Sequence, residues 1–177
     1  MCIVASFMHI LDKKGGCHME KVSQQRRLSA IFEKVYGREF HKEDLDDRVM
    51  LQKAVFLLRE FGVSCGRYDF VWDHFGPFSP DLSDDMKKEV FDNEIVRFTD
   101  KAERIMERLN KLFSNHGEYS VRYWAETIAS LRYLMTHMYP LYSDEKIISK
   151  LEEMKSETLI KHCDNVRAIE EVKILFA

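Results

Sequence analysis

Between Leu45 and Phe61, apolar side chains fall on almost every side of a helix drawn over the segment. A surface helix carries one apolar stripe, whereas a helix that is apolar on most of its circumference is buried. Gly62 follows the segment and is typical of a helix end. We therefore predict a central helix around which the other elements pack. Its apolar positions are Val49, Met50, Leu51, Ala54, Val55, Phe56, Leu57, Leu58 and Phe61.

The other helices are predicted from single apolar stripes at helical spacing, bounded by residues that cap helices. Tyr68–Phe75 and Glu94–Phe98 are rich in aromatic and β-branched residues, which favours two short strands. We therefore expect a mainly α chain, a helical bundle with a small winged-helix-like β-pair, in one domain over 19–177. The predicted helices cover 23–36, 80–90 with Ser79 as N-cap, 99–114, 120–137, a segment capped by Ser143, and 157–176.

Residues 1–18 are predicted to be an extension that is either mis-called or disordered, with Met19 as the natural start. A secretory signal is excluded because the lysines follow the apolar stretch and no small-residue cleavage site comes after it. The stretch from Lys13 to Met19 can be encoded by a sequence like a ribosome-binding site just upstream of the Met19 codon. The intact mass of the native protein tests this prediction.

Composition favours a chain that folds around its own core, with 45% apolar and 32% charged residues. The net charge of −3 disfavours general nucleic-acid binding, which needs clustered cations. No apolar run approaches the roughly 20 residues that span a bilayer. Four cysteines without a Cys-x-x-Cys pair are typical of a reduced, cytoplasmic chain. Dispersed histidines and missing phosphate-binding glycine motifs predict no metal and no cofactor, and the oligomeric state is left open.

The segment 72–80 reads Trp-Asp-His-Phe-Gly-Pro-Phe-Ser-Pro. Its glycine and prolines favour a rigid turn that packs two elements together. Asp73 and His74 are a conceivable acid–base pair, although neighbouring strand residues point to opposite faces. Where such aromatic rings are exposed, they anchor protein partners. The residues predicted to bind a partner are Lys53, Trp72, His74, Phe75, Pro77 and Phe78.

Lys53 has two interpretations, because it lies inside the helix that is predicted to be most buried. Burial shifts the pKa of a lysine, and such lysines serve as catalytic or anion-binding groups. The commoner arrangement places the stem along the edge of the core and lets the ammonium reach water or a carboxylate.

A winged-helix arrangement would place the helix after Pro80 in the DNA major groove. That helix carries Asp81, Asp84 and Asp85, which repel phosphates. A basic face is predicted elsewhere, where Arg104, Arg108 and Lys111 recur at helical spacing. The charges therefore favour a protein partner over DNA.

Three pieces occur in order: Leu-Gln-Lys-Ala-Val-Phe-Leu-Leu over 51–58, Trp72, and Phe-Gly-Pro-Phe-Ser-Pro-Asp-Leu over 75–82. Together they resemble the YwgA family of uncharacterised bacterial proteins. More distantly they resemble the Panacea domain of antitoxins, which carries a comparable Leu-Gln-Lys helix and Gly-Pro turn. The resemblance covers residues 51–82. It implies no enzyme chemistry, and its Panacea side implies binding to a toxin or acting as an adaptor for proteolysis.

Three functions are carried forward as hypotheses. The first is a non-enzymatic protein-interaction module of bacterial or phage origin, antitoxin-like, that binds through the surface around Trp72 and Phe78. The second is a winged-helix DNA-binding regulator. The third is an enzyme that uses Lys53, Asp73 and His74, which requires a cleft that unites the three side chains.

Overall fold

Helices dominate the computed structural model, which describes residues 23–88, 95–155 and 161–177. A π-helical turn, Leu134–Met138, continues the fifth helix. Two short strands form one antiparallel sheet. The prediction of a mainly α fold with a small β-pair is confirmed. The elements within the described ranges are α1 (Gln24–Tyr36), α2 (Leu45–Glu60), β1 (Val71–Asp73), β2 (Gly76–Phe78), α3 (Pro80–Lys87), α4 (Asp100–Ser114), α5 (Val121–Tyr133), α6 (Asp144–Met154) and α7 (His162–Phe176).

Helix α2 lies at the centre of the fold, as its sequence predicts. Every residue from Val49 to Leu58 is buried. Helices α1, α3, α4 and α5 and strand β2 all pack against α2. A buried leucine such as Leu57, which has no exposed surface, is expected to cost about 2–5 kcal/mol when it is replaced by alanine. The apolar face of α2 is therefore the main source of cohesion between the elements.

Side-chain caps set the start of several helices where the sequence predicts them. The hydroxyls of Ser23, Thr99 and Ser120 accept hydrogen bonds from backbone N–H groups in the first turns of α1, α4 and α5. Ser79 occupies the N-cap position of α3, but its side chain makes no cap bond. Gly37 closes α1 with a φ of 71°, a left-handed conformation that glycine adopts readily.

The β-pair is a local hairpin, which differs from the sequence prediction. Strand β1 pairs with β2, and Trp72 lies opposite Pro77. Residues 95–98 form no strand, and Glu94 lies outside the described residues. Gly76 has a φ of 83°, the left-handed residue that commonly follows the turn of a short hairpin. A proline in the second strand is tolerated because a two-stranded sheet consists only of edges.

Several predicted boundaries shift or lie outside the described residues. The helix predicted over 120–137 changes from α to π geometry after Tyr133. Residues 1–18, 89–90 and 157–160, for which an extension and helix ends are predicted, lie outside the described ranges. No helix in those ranges is long and apolar enough to cross a membrane.

Candidate functional site

Gln52 joins the central helix to the start of α3. Its side chain is buried, and its Oε1 accepts a hydrogen bond from the Ser79 backbone N–H at 3.0 Å. Its Nε2 donates to the Ser79 carbonyl oxygen at 2.9 Å. Both backbone groups are remote from water, where an unpaired group costs about 1–3 kcal/mol. One amide side chain therefore satisfies both backbone groups at the residue that joins β2 to α3.

Lys53 makes the neighbouring contact to β2. Its side chain is 1% exposed, and its Nζ donates to the Pro77 carbonyl oxygen at 2.8 Å. The ammonium thus reaches a backbone carbonyl rather than the water or carboxylate that the commoner sequence interpretation expects. Burial lowers the pKa of Lys53 to about 7, although the nearby Glu126 carboxylate opposes that shift.

These two contacts give a physical reason for the ordered motif in the sequence. Gln52 and Lys53 are consecutive on α2, and they bind backbone groups that lie two residues apart in the hairpin and at its exit. Gly76 approaches α5 so closely that a Cβ on it would lie 2.2 Å from the Ser130 Oγ. The glutamine and the lysine thus bind the hairpin to α2, and the glycine lets it approach α5 closely.

A buried group of charges holds the other side of the hairpin. Glu126 on α5 and Lys155, directly after α6, are 5% and 7% exposed and form an ion pair. The Lys155 Nζ also donates to the His74 carbonyl oxygen at 3.1 Å. Burial lowers the pKa of Lys155, and the Glu126 charge counteracts this. The Arg122 Nη2 lies 3.8 Å from the Glu126 Oε2 and completes the group.

The hairpin presents apolar and aromatic side chains at the surface. Val71 is 53% exposed, and Trp72, Phe75 and Phe78 are half-buried. The Trp72 ring lies 6.0 Å from the Tyr133 ring, and the Lys155 ammonium is 5.7 Å from the Trp72 ring centre. The structure therefore brings three of the predicted partner-binding rings together on one hairpin.

The remaining predicted partner-binding residues divide into two groups. His74 is exposed at the hairpin turn, and its ring lies edge-on to Phe75 with the ring centres 4.8 Å apart. Lys53 and Pro77 are buried. They lie beneath the hairpin, where Lys53 donates its hydrogen bond to the Pro77 carbonyl oxygen. Their predicted role in contacting a partner stays a prediction, and the structure places them where they support the hairpin.

The three residues of the enzyme hypothesis do not converge. Lys53 is enclosed, while Asp73 and His74 are exposed on β1 and the turn. Asp73 acts on Lys53 only as a weak charge that raises the pKa of the lysine. Within the described ranges, no group of three or more histidine, cysteine, aspartate or glutamate side chains is arranged to hold a metal ion.

The face predicted to be basic is used partly for packing. Arg108 donates hydrogen bonds to the backbone carbonyls of Ile174 and Leu175, and its guanidinium lies 5.5 Å from the centre of the Phe61 ring. Its charge therefore satisfies the C-terminal end of α7. On α3, which a winged-helix protein would place in the groove, Asp81 and Asp84 are exposed. This distribution of charge gives DNA binding no support.

Sequence reasoning did not identify Glu126 and Lys155 as partners of the hairpin. The sequence feature that indicates a buried environment for Glu126 is the run Trp124–Leu131, in which alanines, serine and threonine lie between large apolar residues. Every residue in that run is buried, so the one carboxylate inside it needed a buried cation.

No family model, no curated protein and no solved structure matches this chain. The resemblance to the YwgA family and the Panacea domain therefore stays a prediction.

Proposed function

We propose that this chain is a cytoplasmic, non-enzymatic protein-interaction module of bacterial or phage origin, with an antitoxin-like role. Its partner binds the outer face of the β1–β2 hairpin. The observation that carries the proposal is the exposure of Val71 beside its cross-strand partner Phe78, whose ring is half-buried, with the half-buried Phe75 ring at the adjoining turn. Trp72 lies on the other face of the hairpin, opposite Pro77. Aromatic residues that are partly exposed on a fixed element are effective interface anchors.

The rigidity of the hairpin supports this use. Gln52, Lys53 and Lys155 each bind backbone groups of the hairpin or of the residue that follows it. A surface that is already fixed loses less conformational entropy when a partner binds, so more of the contact energy appears as affinity. Clamping a hairpin of only three residues per strand is also needed for its stability, since isolated two-stranded hairpins are marginal in water.

The buried position of Lys53 favours this function over the enzyme hypothesis. A catalytic lysine must reach its substrate, whereas the Lys53 ammonium is enclosed and donates to the Pro77 carbonyl oxygen. The exposed acidic side chains on α3 likewise favour a protein partner over DNA.

The test is affinity capture of the tagged full chain in its source organism, followed by mass spectrometry. The variants Val71→Ser and Phe78→Ala remove apolar surface from the hairpin. Leu141→Ser is the matched control, because Leu141 is 95% exposed and is not part of the hairpin. We expect one protein to be retained by the wild type and by Leu141→Ser, and to be lost from both hairpin variants.

Binding of purified partner then completes the test. Loss of an interface anchor typically weakens binding by about 2 kcal/mol or more, which is roughly a 30-fold rise in Kd. Thermal unfolding of each variant shows whether the fold is intact. A partner that binds both hairpin variants as tightly as the wild type would refute the proposed surface.

A further inference from the structure

A cleft of about 530 Å³ lies between the first halves of α1 and α4 and the loop over 62–66 that follows α2. Its floor is apolar and includes the buried side chains of Ile31, Leu58 and Met106. Cavities that bind small molecules commonly measure about 300–1,000 Å³ and have mainly apolar walls with a few polar groups. The cleft therefore has the size and lining of a ligand site.

Three cations surround this apolar floor. Arg27 on α1, Arg97 before α4 and Lys101 on α4 are exposed and line the cleft, and none of its lining residues is acidic. None of the three pairs with a carboxylate within residues 23–88, 95–155 and 161–177. The Lys101 Nζ lies 3.5 Å from the position that a Cβ on Gly62 would occupy, so this side chain reaches across to the opposite wall.

The backbone adds positive potential at the same place. Gln24 at the start of α1 and Thr99 at the N-cap of α4 both line the cleft. The N-terminal end of a helix carries a partial positive charge, which favours anions within the first turn. Two helix starts, and three cations that form no ion pair within the described part of the chain, thus surround one apolar floor.

We propose that this cleft binds an amphipathic acid, a small molecule with an apolar chain or ring and one carboxylate or phosphate group. The apolar part lies on the floor beside Ile31 and Met106. The acid group lies between Arg27, Arg97 and Lys101. Charge complementarity supports this class of ligand, because a neutral apolar molecule would leave the three cations without a counter-charge and a cationic one would be repelled.

Isothermal titration with decanoate, decyl phosphate and 1-decanol tests the inference, each below its micelle or solubility limit. We expect saturable binding of at least one of the two acids to one site per chain, and binding of the alcohol to be at least tenfold weaker. The affinity for the acid should fall as salt is added, because the ions screen the exposed charges. The acid that binds more tightly identifies the headgroup for which the cleft is built.

Three variants connect the binding to the cleft. Arg97→Gln and Lys101→Gln are each expected to raise the Kd for the acid by about 2- to 5-fold, as expected for losing one exposed charge contact worth up to about 1 kcal/mol. Arg104→Gln is the matched control, since this arginine is exposed on α4 and does not line the cleft. We expect its Kd to stay within about twofold of the wild type, well below a tenfold free-energy step.

Several results would overturn the proposal. These are binding of neither acid, equal binding of acid and alcohol, and an equal effect of Arg104→Gln and Arg97→Gln. Neither acid would bind if another part of this chain filled the cleft, and that result would overturn the proposal as well. The outcome is independent of the hairpin surface, because the ligand assay uses neither the partner protein nor a hairpin variant.

Discussion

Replacing Gly76 by alanine tests the fit between the hairpin and α5. Gly76 has a φ of 83°, and an alanine forced into a left-handed conformation costs about 1–2 kcal/mol. Its Cβ would also stand 2.2 Å from the Ser130 Oγ, closer than any real contact. Overpacking of this kind costs about 1–3 kcal/mol. We therefore expect Gly76→Ala to lower the free energy of unfolding by about 2–5 kcal/mol.

The variant Ser130→Ala separates the two contributions. It removes the Oγ and leaves the Ser130 Cβ at 3.4 Å from the new methyl group, which is close to ordinary contact. The Ser130 Oγ is buried without a hydrogen-bond partner in the described part of the chain, so we expect Ser130→Ala alone to cost little. In that background Gly76→Ala should cost only the backbone strain, about 1–2 kcal/mol.

Urea unfolding of the wild type, both single variants and the double variant gives the coupling energy between the two positions. Tryptophan fluorescence and far-UV circular dichroism should report the same transition if unfolding is two-state. We expect a favourable coupling of about 1–3 kcal/mol between the two substitutions. Equal costs of Gly76→Ala in the serine and alanine backgrounds would show that Ser130 does not limit the space at Gly76. A negligible cost in both would refute the left-handed conformation as well.

Three further predictions follow from the buried groups. Burial lowers the pKa of Lys53 from 10.5 to about 7. Between pH 7 and 10.5 the unfolded chain therefore binds more protons than the folded chain. The free energy of unfolding should rise over that pH range by up to roughly 5 kcal/mol. Lys53→Met should lose this part of the pH dependence in urea titrations, and an unchanged slope would contradict the assignment. Gln52→Ala leaves the Ser79 backbone N–H unpaired, while the Ser79 carbonyl oxygen keeps its hydrogen bond from the Ser83 N–H. It should cost about 1–3 kcal/mol in the same assay, whereas a cost well below about 1 kcal/mol would show that water replaces the amide. Burial raises the pKa of Cys65 to about 12, whereas Cys163 is exposed. Iodoacetamide should therefore label Cys163 at least tenfold faster than Cys65 in the folded protein, as measured by peptide mapping. Equal labelling rates would place Cys65 at the surface.

The helices follow from the sequence because their determinants are local. The apolar circumference of α2 and the capping hydroxyls of Ser23, Thr99 and Ser120 lie within one or two turns of the features that they set. Such patterns depend only on helical geometry. Seven predicted helices are accordingly found in the described ranges, although their ends shift by a few residues.

The hairpin was harder to predict because its contacts are not local. Gln52 and Ser79 are 27 residues apart, and Lys155 and His74 are 81 residues apart. No spacing rule connects such positions, and the Gly-Pro pair at 76–77 predicts a turn, whereas in the structure it lies in β2. The exposure of Trp72 is likewise a property of the packed fold, and the sequence alone gives no measure of it.

The shape of β2 explains why the buried helix α2 carries two polar residues, Gln52 and Lys53. A strand of three residues that contains Pro77 pairs with β1 on one side only, so its other backbone groups need donors and acceptors from side chains. A wholly apolar α2 would pack well but would leave the Pro77 carbonyl oxygen and the Ser79 N–H without these partners. Gln52 and Lys53 supply these hydrogen bonds. The free-energy cost is the removal of one amide and one amino group from water. The proposed binding surface thus depends on polar groups that no partner touches, and substitutions beneath the hairpin are expected to disturb binding as strongly as substitutions on it.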